Sequence, residues 1–371
     1  MNDRKKIYHL LYGDIFFHVK SIITSIDSNS EFCHHYLLFF TSRKILEDYR
    51  EFLPQHGIEN YSLLYLGETP FHTIGGSRKD FRQRLVLIRQ VLVLFKMLLP
   101  FRKQPLIVHG FFPMVLRLLT MLFFRNLSFV CWGSTWGAGF KRRLRLLTYS
   151  GINRMVFLQR SDMDQYISLI KGRESRCSVI PYLGNCQYDL PPSQEHIILL
   201  GNTGARWREY MDVLNILKNK NIPDTYTVCC MVAYGIDFAS PEYKSLVKLA
   251  SEMPFKVEFW DSIITKEEYV KKFNTADIII LGVEVQTALG AIYTGFSLGK
   301  KLFLNGTNLA TFKEMGAVCF DFSRMAEMSD EDFFAPLSDS EKNNNAGIVK
   351  KLKSSDDAVT HWECLYESIL H

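Results

Sequence analysis

Twelve short apolar runs, separated by helix-length stretches, constrain this chain more than any other feature. KIYHLLY (6–12), YLLFFT (36–41), YSLLYL (61–66), LIVHG (106–110), LSFVCWG (127–133) and RMVFLQ (154–159) form one series. HIILLG (196–201), YTVCCMVA (226–233), KVEFWD (256–261), DIIILG (277–282), KKLFLN (300–305) and AVCFDF (317–322) form a second. Runs of this length that are apolar throughout suit strands covered on both faces, and their alternation with helices predicts parallel sheets. QYDLPPSQEH (187–196), polar and proline-bearing, lies between the series as a linker. At 371 residues the chain also exceeds one comfortable core. The expected architecture is α/β, with Rossmann-like domains over 1–188 and 189–371. The closing segment, about 340–371, is free to cross back to the first.

Charge divides the same way. Residues 1–190 hold 26 Lys and Arg against 14 Asp and Glu, whereas residues 191–371 hold 18 against 25. A basic first half suits nucleic acid, anionic lipid or a phosphorylated substrate. Nucleic acid is the weaker choice, because no helix-turn-helix, zinc-finger or RNP-type signature accompanies the charge. RKDFRQRLVLIRQVLVLFKMLLPFRKQP (78–105) is apolar along one face but interrupted by Arg89 and Lys96, which forbids a simple membrane span. It reads either as an amphipathic helix on an anionic membrane surface or as a helix packed on its own sheet. The start, MNDRKKIYHLLYG, lacks a signal-peptide pattern, and the eight cysteines show no C-x-x-C spacing. The expectation is a cytoplasmic protein with reduced thiols and no metal site. No P-loop is present, and GSTWGAG (133–139) has the wrong spacing for a dinucleotide fingerprint.

Ligands in such sheets bind beyond the carboxyl ends of the strands, so polar residues there are the candidates. Asp14 follows the first strand and His18 lies one helical turn later. The two could share a proton, although Asp14 reads equally as a helix N-cap. His109 ends a strand in the same half. In the second half, Gly201, Asn202, Thr203 and Gly204 join a strand to a helix, with Arg206 and Arg208 nearby. This turn is either an anion cradle or an ordinary capped connection. Tyr234, Glu284, Gln286 and Gly290 follow further strands and could grip a ribose, a base or a sugar.

In combination these segments resemble the TDP-N-acetylfucosamine:lipid II N-acetylfucosaminyltransferase family, glycosyltransferase family 56. The matches are D-I-x-x-H at Asp14, Ile15 and His18, H-G-x-F at His109, Gly110 and Phe112, and W-G at Trp132 and Gly133. They continue with G-N-[ST]-G at Gly201 to Gly204, Tyr234, Q-x-x-x-G at Gln286 and Gly290, and L-N-x-x-N at Leu304, Asn305 and Asn308. The resemblance implies a GT-B glycosyltransferase fold with two domains facing a cleft. It also implies inverting, metal-independent transfer of a deoxyamino sugar from a nucleotide sugar, with TDP expected, to an undecaprenyl-diphosphate-linked saccharide. The protein would work peripherally at the inner membrane in bacterial surface-polysaccharide synthesis, without a cofactor. Gly201, Asn202, Thr203, Gly204 and Arg206 would take the diphosphate, Tyr234, Glu284, Gln286 and Gly290 the nucleotide and sugar. Asp14 is the first candidate base, with His18 and His109 behind it. Two departures stand out: Ser134-Thr135 replaces the family's Ala-Asp, removing a carboxylate, and Val285-Gln286-Thr287 replaces Arg-Gln-Gln. Other expectations are a UDP-sugar transferase, an epimerase, or a non-catalytic protein that binds a nucleotide sugar or polysaccharide precursor.

Overall fold

The computed structural model describes residues 6–14, 16–28, 30–68, 81–110, 113–121, 124, 126–132, 146–169, 174–182, 188, 190–233, 235–262, 264–284, 287–354 and 356–370. Within these, the side chains of 16–18, 81–84, 113–114, 354 and 356–358 are not described. The chain forms two compact units, residues 1–184 with 354–371, and residues 185–353.

Unit 1 carries β1 (Lys6–Tyr12), β2 (Cys33–Phe40), β3 (Tyr61–Tyr65), β4 (Leu106–His109), β5 (Leu127–Cys131), β6 (Arg154–Phe157) and β7 (Cys177–Val179). They form one parallel sheet in the order β3-β2-β1-β4-β5-β6-β7. Its helices are α1 (Phe16–Ser28), α2 (Arg43–Gln55), α3 (Phe81–Leu98), α4 (Pro113–Met121) and α5 (Arg160–Leu169). Alternate residues of the strands feed two cores. Leu10, Tyr12, Leu37, Phe39, Val108 and Phe129 face one side, and Ile7, Leu11, Tyr36, Leu38, Ile107 and Val130 the other. Burial on both faces is why these strands read as unbroken apolar runs.

Unit 2 carries β8 (His196–Leu200), β9 (Tyr226–Met231), β10 (Val257–Trp260), β11 (Ala276–Leu281), β12 (Lys301–Leu304) and β13 (Phe320–Asp321), parallel in the order β10-β9-β8-β11-β12-β13. Its helices are α6 (Trp207–Leu217), α7 (Pro241–Ser251), α8 (Lys266–Thr275), α9 (Leu289–Ser297), α10 (Gly306–Glu314), α11 (Asp330–Phe334) and α12 (Asp339–Ser354). Their starts carry the expected signals: Ser240 caps α7 ahead of Pro241, and Thr265 with Glu268 makes a capping box on α8.

The last helix, α13 (Asp356–Leu370), belongs to unit 1. Trp362, Leu365, Tyr366 and Ile369 pack into the Ile7–Leu11–Tyr36 core, and Trp362 Nε1 donates to the Pro181 carbonyl at 3.1 Å. All twelve apolar runs contain strands, and β7 is a thirteenth that the sequence reading left outside its series.

Candidate functional site

In both sheets the first strand pairs on one side with the second and on the other with the fourth. β1 sits between β2 and β4, and β8 between β9 and β11. At such a switch the connections after the two adjacent strands leave in opposite directions and open a crevice at the carboxyl edge.

In unit 2 the crevice lies where β8 and β11 end. Gly201 adopts φ +66° and donates its N–H to the Ile280 carbonyl at 2.9 Å; a Cβ there would lie 1.9 Å from the Tyr210 ring, so only glycine fits. The Tyr210 oxygen accepts the Thr203 N–H at 3.0 Å and lies 2.7 Å from the Met231 carbonyl. Thr203 Oγ1 accepts the Ala205 N–H at 3.3 Å and caps the short turn Gly204–Arg206. The amides of Gly201, Thr203 and Ala205 therefore have partners inside the protein. Two of the four amides of the Gly201–Gly204 turn are thus bonded within the protein, which narrows the diphosphate assignment made for it. Gly204 opens the turn without a left-handed φ. Arg206 is exposed, and Asn202 Oδ1 is buried with no partner.

The open helix start is across the switch, at α9. Ala288 is left-handed (φ 58°, ψ 22°), the one non-glycine residue with positive φ among the described residues. Such a conformation costs on the order of 1–2 kcal/mol and calls for surroundings that impose it. Two asparagines brace the connection that precedes it. Asn305 donates to the Gly282 carbonyl at 3.0 Å and caps α10 by accepting the Gly306 N–H at 2.8 Å. Fully buried Asn308 donates to the Thr287 carbonyl at 3.0 Å. Thr307 N–H reaches the Glu284 carbonyl at 2.9 Å, and a Cβ on Gly306 (φ +48°) would lie 2.1 Å from that oxygen. Ala288 leads into α9 and, being an alanine, supplies no side-chain cap, and among the described residues no side chain is seen to cap this start; Gly290, in the first turn, is exposed. An uncapped N-terminus offers N–H donors and the positive end of the helix dipole. Glu284 is exposed on the same connection. Tyr234 and Gln286 lie outside the described residues.

Glu209, on α6, escaped the sequence reading. Its carboxyl accepts a hydrogen bond from the Gly282 backbone, and burial pushes it up to about 7, opposed by that bond and Arg206 and assisted by Asp212. No short motif marks this residue, because its partner is 73 positions away in sequence.

In unit 1, half-buried Asp14 follows β1. Its Oδ2 accepts the Thr41 N–H at 2.8 Å and the Thr41 hydroxyl, and its Oδ1 accepts the Ser42 N–H at 3.3 Å. Asp14 thus ties the exit of β1 to the start of α2, which packs on the same face of the sheet as α1. His18 lies in α1, with its side chain outside the described residues, so a pair with Asp14 lies outside them too. Phe112, Gly133, Ser134 and Thr135 are likewise outside.

His109 ends β4 and is fully buried. Its Nε2 is 3.0 Å from His9 Nδ1, and its Nδ1 is 2.6 Å from the Tyr182 hydroxyl. His9 Nε2 lies 2.8 Å from His34 Nδ1, and His34 Nε2 lies 2.8 Å from Ser30 Oγ. Trp132 Nε1 donates to the Tyr182 oxygen at 2.7 Å. With both ring nitrogens bonded and no exposed surface, His109 cannot touch an acceptor hydroxyl, which corrects its assignment as a direct base. The three rings use their nitrogens on one another, on Tyr182 and on Ser30, and no group of three or more His, Cys, Asp or Glu among the described residues could hold a metal ion. Burial lowers all three: His109 to about 3, with His34 adding, His34 to about 4, and His9 well below the ordinary value, with His34 and His109 adding. The one sequence signal for His9 and His34 is a histidine within or just ahead of an apolar run, where a buried imidazole needs partners; which partners it takes is set by strand pairing.

No family model matches the chain, and no curated protein does. Solved structures do. The N-terminal domain of Candida albicans trehalose-6-phosphate phosphatase is similar at TM-score 0.69 and 12% identity, over 100% of this chain and 98% of that one. A glycosyltransferase from Rickettsia africae gives 0.66 and 13%, over 99% of each chain. An E. coli trehalose-6-phosphate structure bound with UDP-2-fluoro glucose gives 0.68 and 10%, over 98% and 99%. At these identities the likeness is one of fold, and the fold is that of the GT-B glycosyltransferases, built from two Rossmann-like domains.

The buried imidazoles dictate a pH dependence. Their folded pKa values lie below the ordinary 6.5, so the unfolded chain takes up protons first and stability falls as pH drops from about 6.5 toward 4. Asp162, pushed up to about 7 by burial, works in the opposite direction by one proton. Each proton of difference is worth about 1.4 kcal/mol per pH unit, so unit 1 should lose up to roughly 3 kcal/mol per unit in urea unfolding below pH 6. A flat profile from pH 7 to 5 would contradict the neutral chain.

Proposed function

We propose that the protein is a glycosyltransferase whose unit 2 binds a nucleoside diphosphate sugar at the β8/β11 switch. The observation that carries this reading is the N-terminus of α9, which follows left-handed Ala288 on a connection braced by Asn305 and Asn308. The α9 amides and Arg206 would stabilise the departing diphosphate, since charge that develops on leaving is best met by fixed donors. Glu284, exposed beside them, would accept from ribose hydroxyls, with Tyr234, Gln286 and Gly290 completing the nucleotide and sugar contacts. The E. coli neighbour bound with UDP-2-fluoro glucose supports a nucleotide-sugar donor. The motif resemblance supports a TDP-linked (N-acetyl)fucosamine-type sugar, inverting transfer without a metal, and a lipid-diphosphate-linked saccharide as acceptor.

Unit 1 supports a membrane-facing acceptor side. From residue 81 to 161 there are 14 Lys and Arg and no Asp or Glu. α3 buries Leu87, Val91, Leu94 and Leu98 yet exposes Leu85 (50%), Ile88 (52%) and Leu92 (54%), with Arg89 and Lys96 also exposed. An exposed apolar stripe flanked by cations alone complements an anionic bilayer surface. No helix among the described residues is long and apolar enough to cross a membrane. The protein should sediment with vesicles containing phosphatidylglycerol and not with pure phosphatidylcholine, and Ile88→Glu with Leu92→Glu should release it. Equal binding by wild type and the double variant would remove α3 from this role.

Calorimetry with TDP, UDP and GDP tests the donor site. TDP should bind best, and Gly290→Asp, which places a carboxylate beside the diphosphate, should weaken it about tenfold or more, 1.4 kcal/mol. Preference for UDP would keep the transferase and change its sugar. Binding of none of the three would favour the non-catalytic reading.

A further inference from the structure

We propose that Tyr182, His109, His9 and His34 form a proton conduit across unit 1, and that Tyr182 is the group that takes the acceptor's hydroxyl proton. The step rests on the reading that unit 1 receives the acceptor; the conduit itself rests on geometry alone.

The chain runs diagonally through the sheet. Ser30 and His34 stand where β2 begins, His9 is in the middle of β1, His109 is the last residue of β4, and Tyr182 follows β7 beside Trp132, which follows β5. Both ends, Ser30 and Tyr182, are half-buried, whereas His9, His34 and His109 are 0%, 5% and 0% exposed. A dry middle between two partly exposed end residues is what a conduit requires.

A neutral imidazole donates from one nitrogen and accepts at the other. Three of them in series bond without conflict only when all hold the same tautomer. With the Trp132 N–H already donating to the Tyr182 oxygen, the tautomer assigned is the one in which the Tyr182 hydroxyl is the donor of the 2.6 Å contact. Tyr182 therefore donates to His109 Nδ1. His109 Nε2–H then donates to His9 Nδ1, His9 Nε2–H to His34 Nδ1, and His34 Nε2–H to Ser30 Oγ, which also accepts the Phe32 N–H at 3.3 Å. Aromatic rings enclose the chain: Tyr36 lies 5.4 Å from His9, Tyr366 lies edge-on to His34 at 4.9 Å, and Trp362 stacks on Tyr182 at 5.8 Å. The carboxylates beside those rings reach it only indirectly, Asp27 through the Tyr36 hydroxyl and Glu363 beside Tyr366.

An acceptor hydroxyl donates to the Tyr182 oxygen, beside the Trp132 N–H or in its place. As its oxygen forms the bond to the sugar's anomeric carbon, the nucleoside diphosphate leaves with the old bonding pair. The hydroxyl proton passes to Tyr182, whose own proton moves to His109 Nδ1. The Nε2 protons of His109, His9 and His34 each advance one bond, and Ser30 releases one proton to water. One proton enters, one leaves, and no charge is buried at any stage. After product departure one proton returns from water through Ser30 and leaves at Tyr182, which resets the tautomers without any ring turning.

Imidazole-directed NMR on the intact protein, followed after transfer to D2O, tests the conduit with no substrate present. At pH 7.5 all three histidines should show the Nε2–H tautomer. The buried His9 and His109 N–H protons should exchange at least tenfold faster than the backbone amides of Leu10 and Val108 on the same strands. Tyr182→Phe should slow both imidazole protons at least tenfold while leaving those amides unchanged. Mixed tautomers in the wild type would overturn the proposal whether or not the variant folds. So would imidazole exchange as slow as the amides, or exchange indifferent to Tyr182→Phe. Failure of nucleotide binding in calorimetry would leave these readings untouched, so the two claims fail separately.

Discussion

The reversal of strand order in each sheet is the constraint on which the rest depends. β1 and β8 each serve two neighbours, one reached directly and one only after a long excursion. Right-handed crossovers then send the following helices to opposite faces of the sheet. Each unit is left with one place at its carboxyl edge where backbone groups are not covered by the next crossover. In unit 2 that place holds Gly201, Gly282, Glu284 and Ala288, and in unit 1 it holds Asp14 and His109. The residues that stabilise these edges and the residues available to a ligand are close neighbours in both.

The two edges spend their polar groups differently. In unit 2 the β8 turn closes on itself through Tyr210 and Thr203, and at the matching helix start after β11 no side-chain cap is seen among the described residues. The left-handed Ala288 sits at the end of a connection that Asn305 and Asn308 brace at Gly282 and Thr287. In unit 1 the polar groups run inward. A lone buried imidazole would lose about 1–3 kcal/mol for each unmet hydrogen bond, and placing three in series between Tyr182 and Ser30 meets all of them. Trp362 and Tyr366 of α13 cover that series, so the C-terminal helix seals an inner edge of unit 1.

Much of the fold was legible because both-face burial writes itself into sequence as apolar runs, and all twelve contain strands. β7 was not, since three residues ahead of Ile180-Pro181 carry too little pattern. Strand ends pointed to the candidate site, but their partners did not show. Asp14 was legible as a capping residue, yet the helix it serves is α2, reached only through the β1–β2 pairing. The Gly201–Gly204 turn carried a genuine anion-binding pattern, and what sequence could not show is that a tyrosine hydroxyl from the following helix takes one of its amides. Ala288 gave no signal, because left-handed backbone is read from glycine or asparagine and not from alanine. Glu209 and the His9–His34–His109 series depend on pairings between distant strands, which local spacing cannot express.

Backbone amide mapping by NMR as TDP is added tests the central claim most directly. The account predicts that the largest shifts fall on Leu289, Gly290 and Ala291 at the start of α9, with smaller ones at Glu284. Shifts concentrated on Gly201 to Arg206 with the α9 amides unmoved would contradict it, and would return the diphosphate to the turn after β8.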